Sequence, residues 1–391
     1  MKNKTTLLLI LLAVLLATPT IYADDWYSEY GNYYRVYNVE NNQLLFTTAR
    51  EVSRGDQYLS SDNKMYRVVR VNGRNHLAYA EFMEDVQLPK INQQALQEIQ
   101  LALQEGGLDT FLLAQENGEE EGNIERRVGL YTTHSAEAYV PTDGSESIEE
   151  GGGIKKVAEQ LKNSFEANGV EAIFDNTNHI PHDAGAYKRS RRTATQLMRD
   201  HGVGALIDVH RDAVPVEQYA TEIEGEEASL VRLVVGRRNQ NFAANEELAV
   251  QVKAVADEMR PGLIKDIFYA KGDYNQDLTP RAMLVEMGTY QQPRQLPERS
   301  AGYLAEVVTT ALFGGVVEDT EATEKGAAPR ETPGAQASNR GGGIGTIGLI
   351  AVVAIGGFAF LFLSSGGKEW KSKLSNFKQE FANFLGRRKR K

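Results

Sequence analysis

Short apolar runs and amphipathic helical stripes alternate along residues 127–313, and this alternation constrains the fold more than any other feature of the chain. The stripes recur at helical spacing and comprise Ile154, Val157, Leu161 and Phe165, then Leu248, Val252, Val255 and Met259. The apolar runs read as short buried strands and cover residues 128–134, 172–174, 205–210, 230–235, 267–269 and 283–288. Strands alternating with helices predict an α/β domain over residues 126–314, with an open, mostly parallel sheet flanked by helices.

The segments on either side of this domain have a different composition. Residues 24–89 are rich in tyrosine and contain short alternating runs broken by turn sequences, which predicts a small β-rich module. Residues 90–125 predict a helical segment followed by an acidic linker, because the Gly/Glu-rich stretch has no apolar period. Residues 315–343 are rich in Gly, Ala, Thr and Pro and predict a flexible tether.

Both ends of the chain carry signals for a membrane. Residues 1–23 have the order of a secretory signal peptide: basic residues, an apolar core and a small residue at Ala23. Residues 344–363 are uncharged and long enough to span a bilayer, which takes about 20 residues. Residues 364–391 form a basic cytoplasmic tail with aromatic residues at helical spacing, which predicts an amphipathic helix on the inner leaflet; the alternative is a solvated stop-transfer tail. We therefore expect a single-pass cell-membrane protein with its α/β domain outside the cytoplasm.

Charge and cysteine content exclude several functions. The formal net charge is −10, and removing the basic residues of the tail and of the signal peptide leaves the part between them more acidic still. Such a surface argues against a nucleic-acid partner. The chain has no cysteine, so any metal must be held by imidazole and carboxylate groups, and only six histidines are available.

Polar residues stand at or near the ends of three predicted strands. His134 and His210 close their apolar runs, and Glu286 lies within residues 283–288. In an open parallel sheet, ligands bind beyond the carboxyl ends of the strands, so these side chains can converge. A catalytic zinc site takes three protein ligands of the His/His/Glu kind, with a further carboxylate as general base and acid. This predicts His134 and His210 as zinc ligands and Glu286 as the base.

The third zinc ligand is open among several residues. Glu137 is the first choice because it follows His134 closely, and Glu149, Glu150 and His182 are the alternatives. The structural interpretation of the strand-end residues is that a histidine binds a backbone carbonyl oxygen, and that Glu286 caps a helix or pairs with Arg281.

Two further sequence features receive structural interpretations. Among the remaining histidines, His76 and His201 are interpreted as structural, and His179 pairs with His182 in a loop whose spacing is weak evidence for a ligand. The glycine run at residues 151–153 is interpreted as a source of flexibility.

Five stretches within the predicted α/β domain resemble the stage II sporulation protein P family: residues 133–141, 207–212, 235–236, 274–278 and 281–288. The resemblance implies a zinc-dependent N-acetylmuramoyl-L-alanine amidase that cuts peptidoglycan between glycan and stem peptide, with possible endopeptidase action, during engulfment in sporulation. It implies His134, Glu137 and His210 as zinc ligands and Glu286 as the catalytic carboxylate. We assign substrate-binding or supporting roles to Arg211, Asp212, Tyr139, Asn275 and Arg281.

The resemblance also implies partners at the sporulation septum. These are the lytic transglycosylase stage II sporulation protein D and the membrane protein stage II sporulation protein M. Two other functions compete with the amidase: a peptidoglycan-binding scaffold without catalysis, and another zinc hydrolase such as a carboxypeptidase or a sugar deacetylase.

Overall fold

The computed structural model describes residues 33–104, 126–183 and 185–318. Its main feature is an 11-stranded sheet in the order β2-β1-β5-β4-β3-β12-β11-β13-β8-β6-β7. The strands of this sheet are β1 (Tyr34–Asn38), β2 (Leu44–Thr48), β3 (Gln57–Leu59), β4 (Lys64–Asn72), β5 (Leu77–Asp85), β6 (Arg127–Tyr131), β7 (Glu171–Phe174), β8 (Ala205–Asp212), β11 (Val231–Gly236), β12 (Ile264–Ala270) and β13 (Ala282–Thr289). A separate two-stranded sheet pairs β9 (Ala220–Ile223) with β10 (Glu226–Ser229).

The α/β half confirms the predicted open and mostly parallel sheet. Strands β7, β6, β8 and β13 are parallel to one another, and β12 is parallel to β11. One pair, β11 with β13, is antiparallel and makes the sheet mixed. The strands of this half are almost continuously buried, as expected for a sheet covered on both faces.

Six α-helices accompany these strands in the described residues: α1 (Gln93–Gln104), α2 (Val140–Asp143), α3 (Ile154–Ala167), α4 (Ala186–His201), α5 (Phe242–Met259) and α6 (Gln295–Phe313). Both predicted apolar stripes are confirmed, because every residue named in them is buried in α3 or α5. Helices α3, α5 and α6 share the large core with one face of the sheet, whereas α4 packs in a smaller cluster on the other face.

Alternation along the strands separates these two faces. In β8, Ile207 and Val209 belong to the large core, so Asp208 and His210 point to the opposite face. In β13, Val285 belongs to the large core, and Glu286 therefore points the same way as His210.

The β-rich segment before the α/β half joins it in one continuous sheet. Strand β3 pairs with β12 in antiparallel fashion, and β4, β5, β1 and β2 extend the sheet outward. The two parts also share a core, since Phe46 and Tyr58 of the module pack in one cluster with Phe268 and Leu284 of the α/β half. The amino-terminal module, residues 34–85, is thus attached through hydrogen bonds and through packing.

Several predicted segments lie outside the described residues: the signal peptide (1–23), the end of the helical segment (105–115), the acidic linker (116–125), most of the tether (319–343), the membrane span (344–363) and the basic tail (364–391). No helix within residues 33–104, 126–183 and 185–318 has the length and apolar character needed to cross a bilayer. The first residues of the predicted tether are still folded, because Val316 is buried and Val317 bridges to Ile91.

Candidate metal centre

Neighbouring parallel strands bring the predicted site residues to one place. His210 in β8 and Glu286 in β13 are direct partners in the strand register, and both lie within their strands, near the carboxyl ends. His134 lies beyond the end of β6, in the turn that follows Tyr131. This turn is tied to β8, because the Thr133 backbone N–H donates to Asp208 Oδ1 at 2.8 Å and its hydroxyl donates to Oδ2 at 2.6 Å.

His134, Glu137 and His210 form a buried group that we call the ligand cluster. One ligand atom from each residue can be chosen so that all three lie within 4.8 Å of one another. Oε1 of Glu137 is 3.3 Å from Nδ1 of His134 and 3.6 Å from Nδ1 of His210. The two imidazole rings meet edge to face, with centroids 4.8 Å apart. The relative exposure of each side chain is 1% or less.

This spacing fits a zinc ion. Ligand atoms about 2.0 Å from a tetrahedral zinc are about 3.3 Å from each other, close to the two distances within the ligand cluster. Oε1 of Glu137 and Nδ1 of His210 are also buried and make no hydrogen bond among the described residues. Because a buried polar atom without a hydrogen bond is costly, these two atoms are suited to a metal. Two imidazoles and a carboxylate are one of the ligand sets found in catalytic zinc sites.

Electrostatics divide the cluster into one neutral and two charged members. Burial lowers the pKa of His134 to about 4, so this ring is neutral at pH 7 and ready to bind a metal. Burial also lowers the pKa of His210, but the carboxylates of Asp208 and Glu137 outweigh it and raise the pKa to about 9. Burial would raise the pKa of Glu137, yet the adjacent histidines hold it well below its usual value.

Glu286 is the second buried carboxylate of the site, and its partner is an arginine from the amino-terminal module. Nε of Arg50 donates to Oε1 of Glu286 at 2.5 Å, and both side chains are almost fully buried. Burial raises the pKa of Glu286, while the positive charge of Arg50 opposes the increase. The predicted alternative, a pair between Glu286 and Arg281, is therefore wrong.

Arg211 and Tyr139 support the cluster from within the fold. The Arg211 backbone N–H donates to Oε2 of Glu137 at 2.9 Å and leaves Oε1 for the ligand cluster. The Arg211 side chain donates to the carbonyl oxygens of Ala138 and Glu146 and so braces the segment after Glu137. Tyr139 is fully buried, and its hydroxyl donates to the Met287 carbonyl oxygen at 2.8 Å. Both residues hold the loop in place.

Asp212, Asn275 and Arg281 have structural surroundings. Asp212 accepts hydrogen bonds from the backbone N–H groups of Ala49 and Ala213 and from other buried donors. Asn275 adopts a left-handed backbone conformation with φ of 56°, and its side-chain amide donates to the Ser190 hydroxyl at 3.0 Å. Arg281 immediately precedes β13, and its backbone N–H donates to the Thr279 hydroxyl at 3.3 Å.

The alternative candidates for the third zinc ligand lie at different distances from the ligand cluster. Glu149 and Glu150 are exposed and do not belong to the ligand cluster. His182 lies against the cluster, because its ring stacks on that of His134 with centroids 4.2 Å apart and planes 20° apart. Glu137 is thus the candidate that the fold places among the histidines.

The other histidines have structural surroundings. His179 is buried between the Thr132 carbonyl oxygen and the Thr193 hydroxyl, at 2.8 and 2.9 Å from its two ring nitrogens. His201 ends α4 before Gly202, as expected from the sequence. His76 packs edge to face against Tyr34 within the module.

Two site features were missed by sequence reasoning. Gly152 packs against the turn that carries Glu137, and an added Cβ would overlap the Glu137 carbonyl oxygen. The interpretation of this glycine run as a flexible segment is wrong, since Gly152 and Gly153 are buried and the Gly152 N–H donates to the Ser135 carbonyl oxygen at 2.8 Å. Arg50 was the other omission. It lies two residues beyond the end of β2, and no local sequence signal marks this position as part of the site.

The chain is similar to several known proteins. A curated relative, the stage II sporulation protein P of Bacillus subtilis (strain 168), is 27% identical over 198 residues, which are 46% of this chain and about half (49%) of the relative. Similar solved structures include the N-acetylmuramoyl-L-alanine amidase AmiC2 of Nostoc punctiforme, with 13% identity, a TM-score of 0.31 and coverage of 49% of this chain and 96% of that one. Another is the amidase Ami1 from Mycobacterium smegmatis, with 17% identity, a TM-score of 0.31 and coverage of 50% and 99%. The family description "Stage II sporulation protein P" matches residues 53–309, and the chain belongs to this family.

Proposed function

We propose that this protein is a zinc-dependent peptidoglycan amidase that acts in sporulation and cleaves the amide bond between N-acetylmuramic acid and the L-alanine of the stem peptide. The observation that carries the proposal is the ligand cluster, in which His134, Glu137 and His210 offer three buried ligand atoms within 4.8 Å of one another. Membership in the stage II sporulation protein P family supports the process, and the resemblance of residues 133–141 and 281–288 supports the reaction.

The chain's own residues account for the proton transfers of an amide hydrolysis. A zinc ion in such a site lowers the pKa of a bound water and polarises the substrate carbonyl. Glu286 lies beside His210 in the strand register and can take the proton of the attacking water. As the carbon–nitrogen bond breaks, Glu286 returns that proton to the leaving amine. Burial raises the pKa of Glu286 above its usual value, which makes its carboxylate a better proton acceptor.

Digestion of purified sacculi tests the reaction. We expect the full chain, loaded with zinc, to release stem peptides with a free L-alanine amine and to leave the glycan strands intact. Glu286→Gln should retain zinc and lose about 10²- to 10⁴-fold in kcat, the usual contribution of a general acid–base group. Exposed Glu149 provides the matched control, and Glu149→Gln should digest like the parent.

The products separate the competing functions. New amines at peptide cross-links would indicate an endopeptidase, and loss of acetyl groups would indicate a deacetylase. A protein that binds sacculi without zinc and without product would be a binding scaffold. A Glu286→Gln variant as active as the parent would remove Glu286 from the mechanism.

The same proposal includes a place of action and partners. A signal peptide at residues 1–23 and a membrane span at residues 344–363 would put the hydrolase outside the membrane at the sporulation septum, beside the transglycosylase stage II sporulation protein D and the membrane protein stage II sporulation protein M. Protease treatment of intact protoplasts tests the topology, since an external domain is digested and an internal one is protected. Co-purification from sporulating cells tests the partners.

A further inference from the structure

Arg50 is the residue of the amino-terminal module that reaches the candidate catalytic carboxylate. It lies just beyond β2, 236 positions from Glu286 in sequence, yet its Nε donates to Oε1 of Glu286 at 2.5 Å. The relative exposure of the two residues is 2% each. Solvent does not compete for either partner at this burial, so the hydrogen bond between the two charged groups is strong.

The α/β half holds the Arg50 side chain in one position. Its Nη1 donates to the Tyr187 hydroxyl at 3.1 Å, and its guanidinium carbon lies 5.2 Å from the centre of the Tyr274 ring. Tyr187 belongs to α4, and its ring also lies against His134 and His210, with centroid distances of 5.5 and 6.2 Å. The guanidinium group is therefore built into the wall of the site.

The backbone around Arg50 is fixed just as firmly. The Ala49 N–H donates to Oδ1 of Asp212 at 2.9 Å, and Nη1 of Arg232 donates to the Thr47 carbonyl oxygen at 3.0 Å. Asp212 and Arg232 lie in β8 and β11, so strands of the α/β half hold residues 47–50 directly. The module thus holds Arg50 in one position through specific hydrogen bonds. Apolar packing between the module and the α/β half would not require such bonds.

The two oxygens of Glu286 have different surroundings. Oε1 accepts the hydrogen bond from Arg50, whereas Oε2 is buried and makes no hydrogen bond among the described residues. An arginine that fixes one oxygen restricts the rotation of the carboxylate and leaves the other oxygen for proton transfer.

We propose that Arg50 is a positioning residue for Glu286, and that the amino-terminal module is therefore part of the catalytic unit. The inference rests on the proposed amidase function and deepens it. Arg50 donates its hydrogen bonds to Glu286 and Tyr187 and acts through Glu286, so its loss should affect turnover and leave zinc binding and substrate affinity in place.

Arg50→Met and Arg50→Lys in the full chain test the proposal on a soluble muropeptide. We expect Arg50→Met to lose about 100-fold in kcat, the typical effect of misplacing a catalytic group by about 1 Å, with KM changed less than about twofold. Arg50→Lys retains the charge opposite Glu286 but lacks the planar guanidinium, so we expect an intermediate loss of about tenfold. Arg35, exposed in β1, provides the control, and Arg35→Met should match the parent in kcat and KM.

Zinc content and thermal midpoint are measured on the same samples. If Arg50→Met does not fold, Arg50→Lys carries the test, because it keeps Glu286 paired with a positive charge. An unchanged kcat in the folded variants would overturn the proposal, as would an increased kcat, which would make Arg50 an inhibitory contact. A loss of zinc or a rise in KM that explains the lost activity would also overturn it. A parent chain that is inactive on muropeptides would overturn the amidase function itself and this inference with it.

Discussion

Two groups of buried charges lie on the same face of the central strands, and they are built in opposite ways. In the first, which we call the arginine network, Arg232 binds both oxygens of Asp266 at 2.6 and 2.9 Å and also contacts Asp212 at 3.1 Å. In the ligand cluster, by contrast, Oε1 of Glu137 and Nδ1 of His210 make no hydrogen bond among the described residues. Buried charges that are all paired have a structural role, whereas buried ligand atoms that make no hydrogen bond are suited to binding a metal ion.

Removal of the carboxylate from the ligand cluster should have the largest effect. Glu137→Gln replaces an anionic ligand with a neutral amide, and we expect zinc affinity to fall on the order of 10³-fold, about a third of the binding free energy of a three-ligand site. Competition with a fluorescent chelator measures the affinity. The control is Glu149→Gln, at an exposed position, which should bind zinc like the parent. Undiminished affinity in Glu137→Gln would mean that another residue is the third ligand.

Breaking the arginine network should instead reduce stability. Arg232→Met leaves Asp266 buried without its partner, which costs about 3 kcal/mol in the free energy of unfolding. Chemical denaturation measures this loss, and the folded fraction should still bind one zinc. Arg67→Met removes an exposed pair with Glu81 and should cost less than about 1 kcal/mol. A zinc-deficient but stable Arg232→Met protein would erase the distinction between the two groups.

Asp208 combines features of both groups, since it accepts hydrogen bonds from Thr133 and also faces the ring of His210. Its Oδ1 lies 3.1 Å from Nε2 of His210 and accepts the Thr133 backbone N–H. Asp208→Asn keeps an acceptor for Thr133 but weakens the hold on the His210 ring, so zinc affinity should fall about 10- to 100-fold. Isothermal titration measures it, with exposed Asp200→Asn as the control. An effect as small as that of the control would show that the ring is oriented by other contacts.

The pKa of His210 predicts a pH dependence of zinc binding. With a pKa of about 9 against an ordinary 6.5, this ring is protonated at pH 7 in the metal-free protein and must lose its proton to bind zinc. Zinc affinity should therefore rise about tenfold per pH unit from about pH 6.5 to about pH 9. In the same window the metal-free protein should lose stability, because the folded-state pKa is raised above the unfolded value. Titrations in buffers of different ionisation enthalpy count the released proton, and a pH-independent affinity would contradict this prediction.

The helices and the central strands were predictable because their residues repeat a local period. The stripe from Ile154 to Phe165 lies entirely on the buried side of α3, and the apolar run before His210 is β8. The choice of Glu137 over Glu149 followed from its distance to His134 along the chain, and a single turn suffices to bring Glu137 to His134. Local periodicity and short sequence separation were sufficient in these cases.

Contacts between distant segments were beyond such reasoning. Glu286 carries no local sign that its partner is Arg50, because the two are 236 residues apart and meet only when β3 joins β12. Gly152 was equally unpredictable, because only glycine fits at this position once the fold brings the Glu137 backbone against it.

The sequence by itself determined the class of fold, the imidazole and carboxylate residues that are candidates for a metal site, and the family, since periodicity, the absence of cysteine and local motifs are properties of the linear chain. Only the tertiary structure decided which buried charges are paired and which ligand atoms, such as Oε1 of Glu137 and Nδ1 of His210, make no hydrogen bond among the described residues. Burial removes water as a partner, so each buried polar atom depends on the groups that the fold places beside it. For this reason His210 and Asp212, two positions apart in one strand, lie in a candidate metal centre and in a structural ion-pair network respectively.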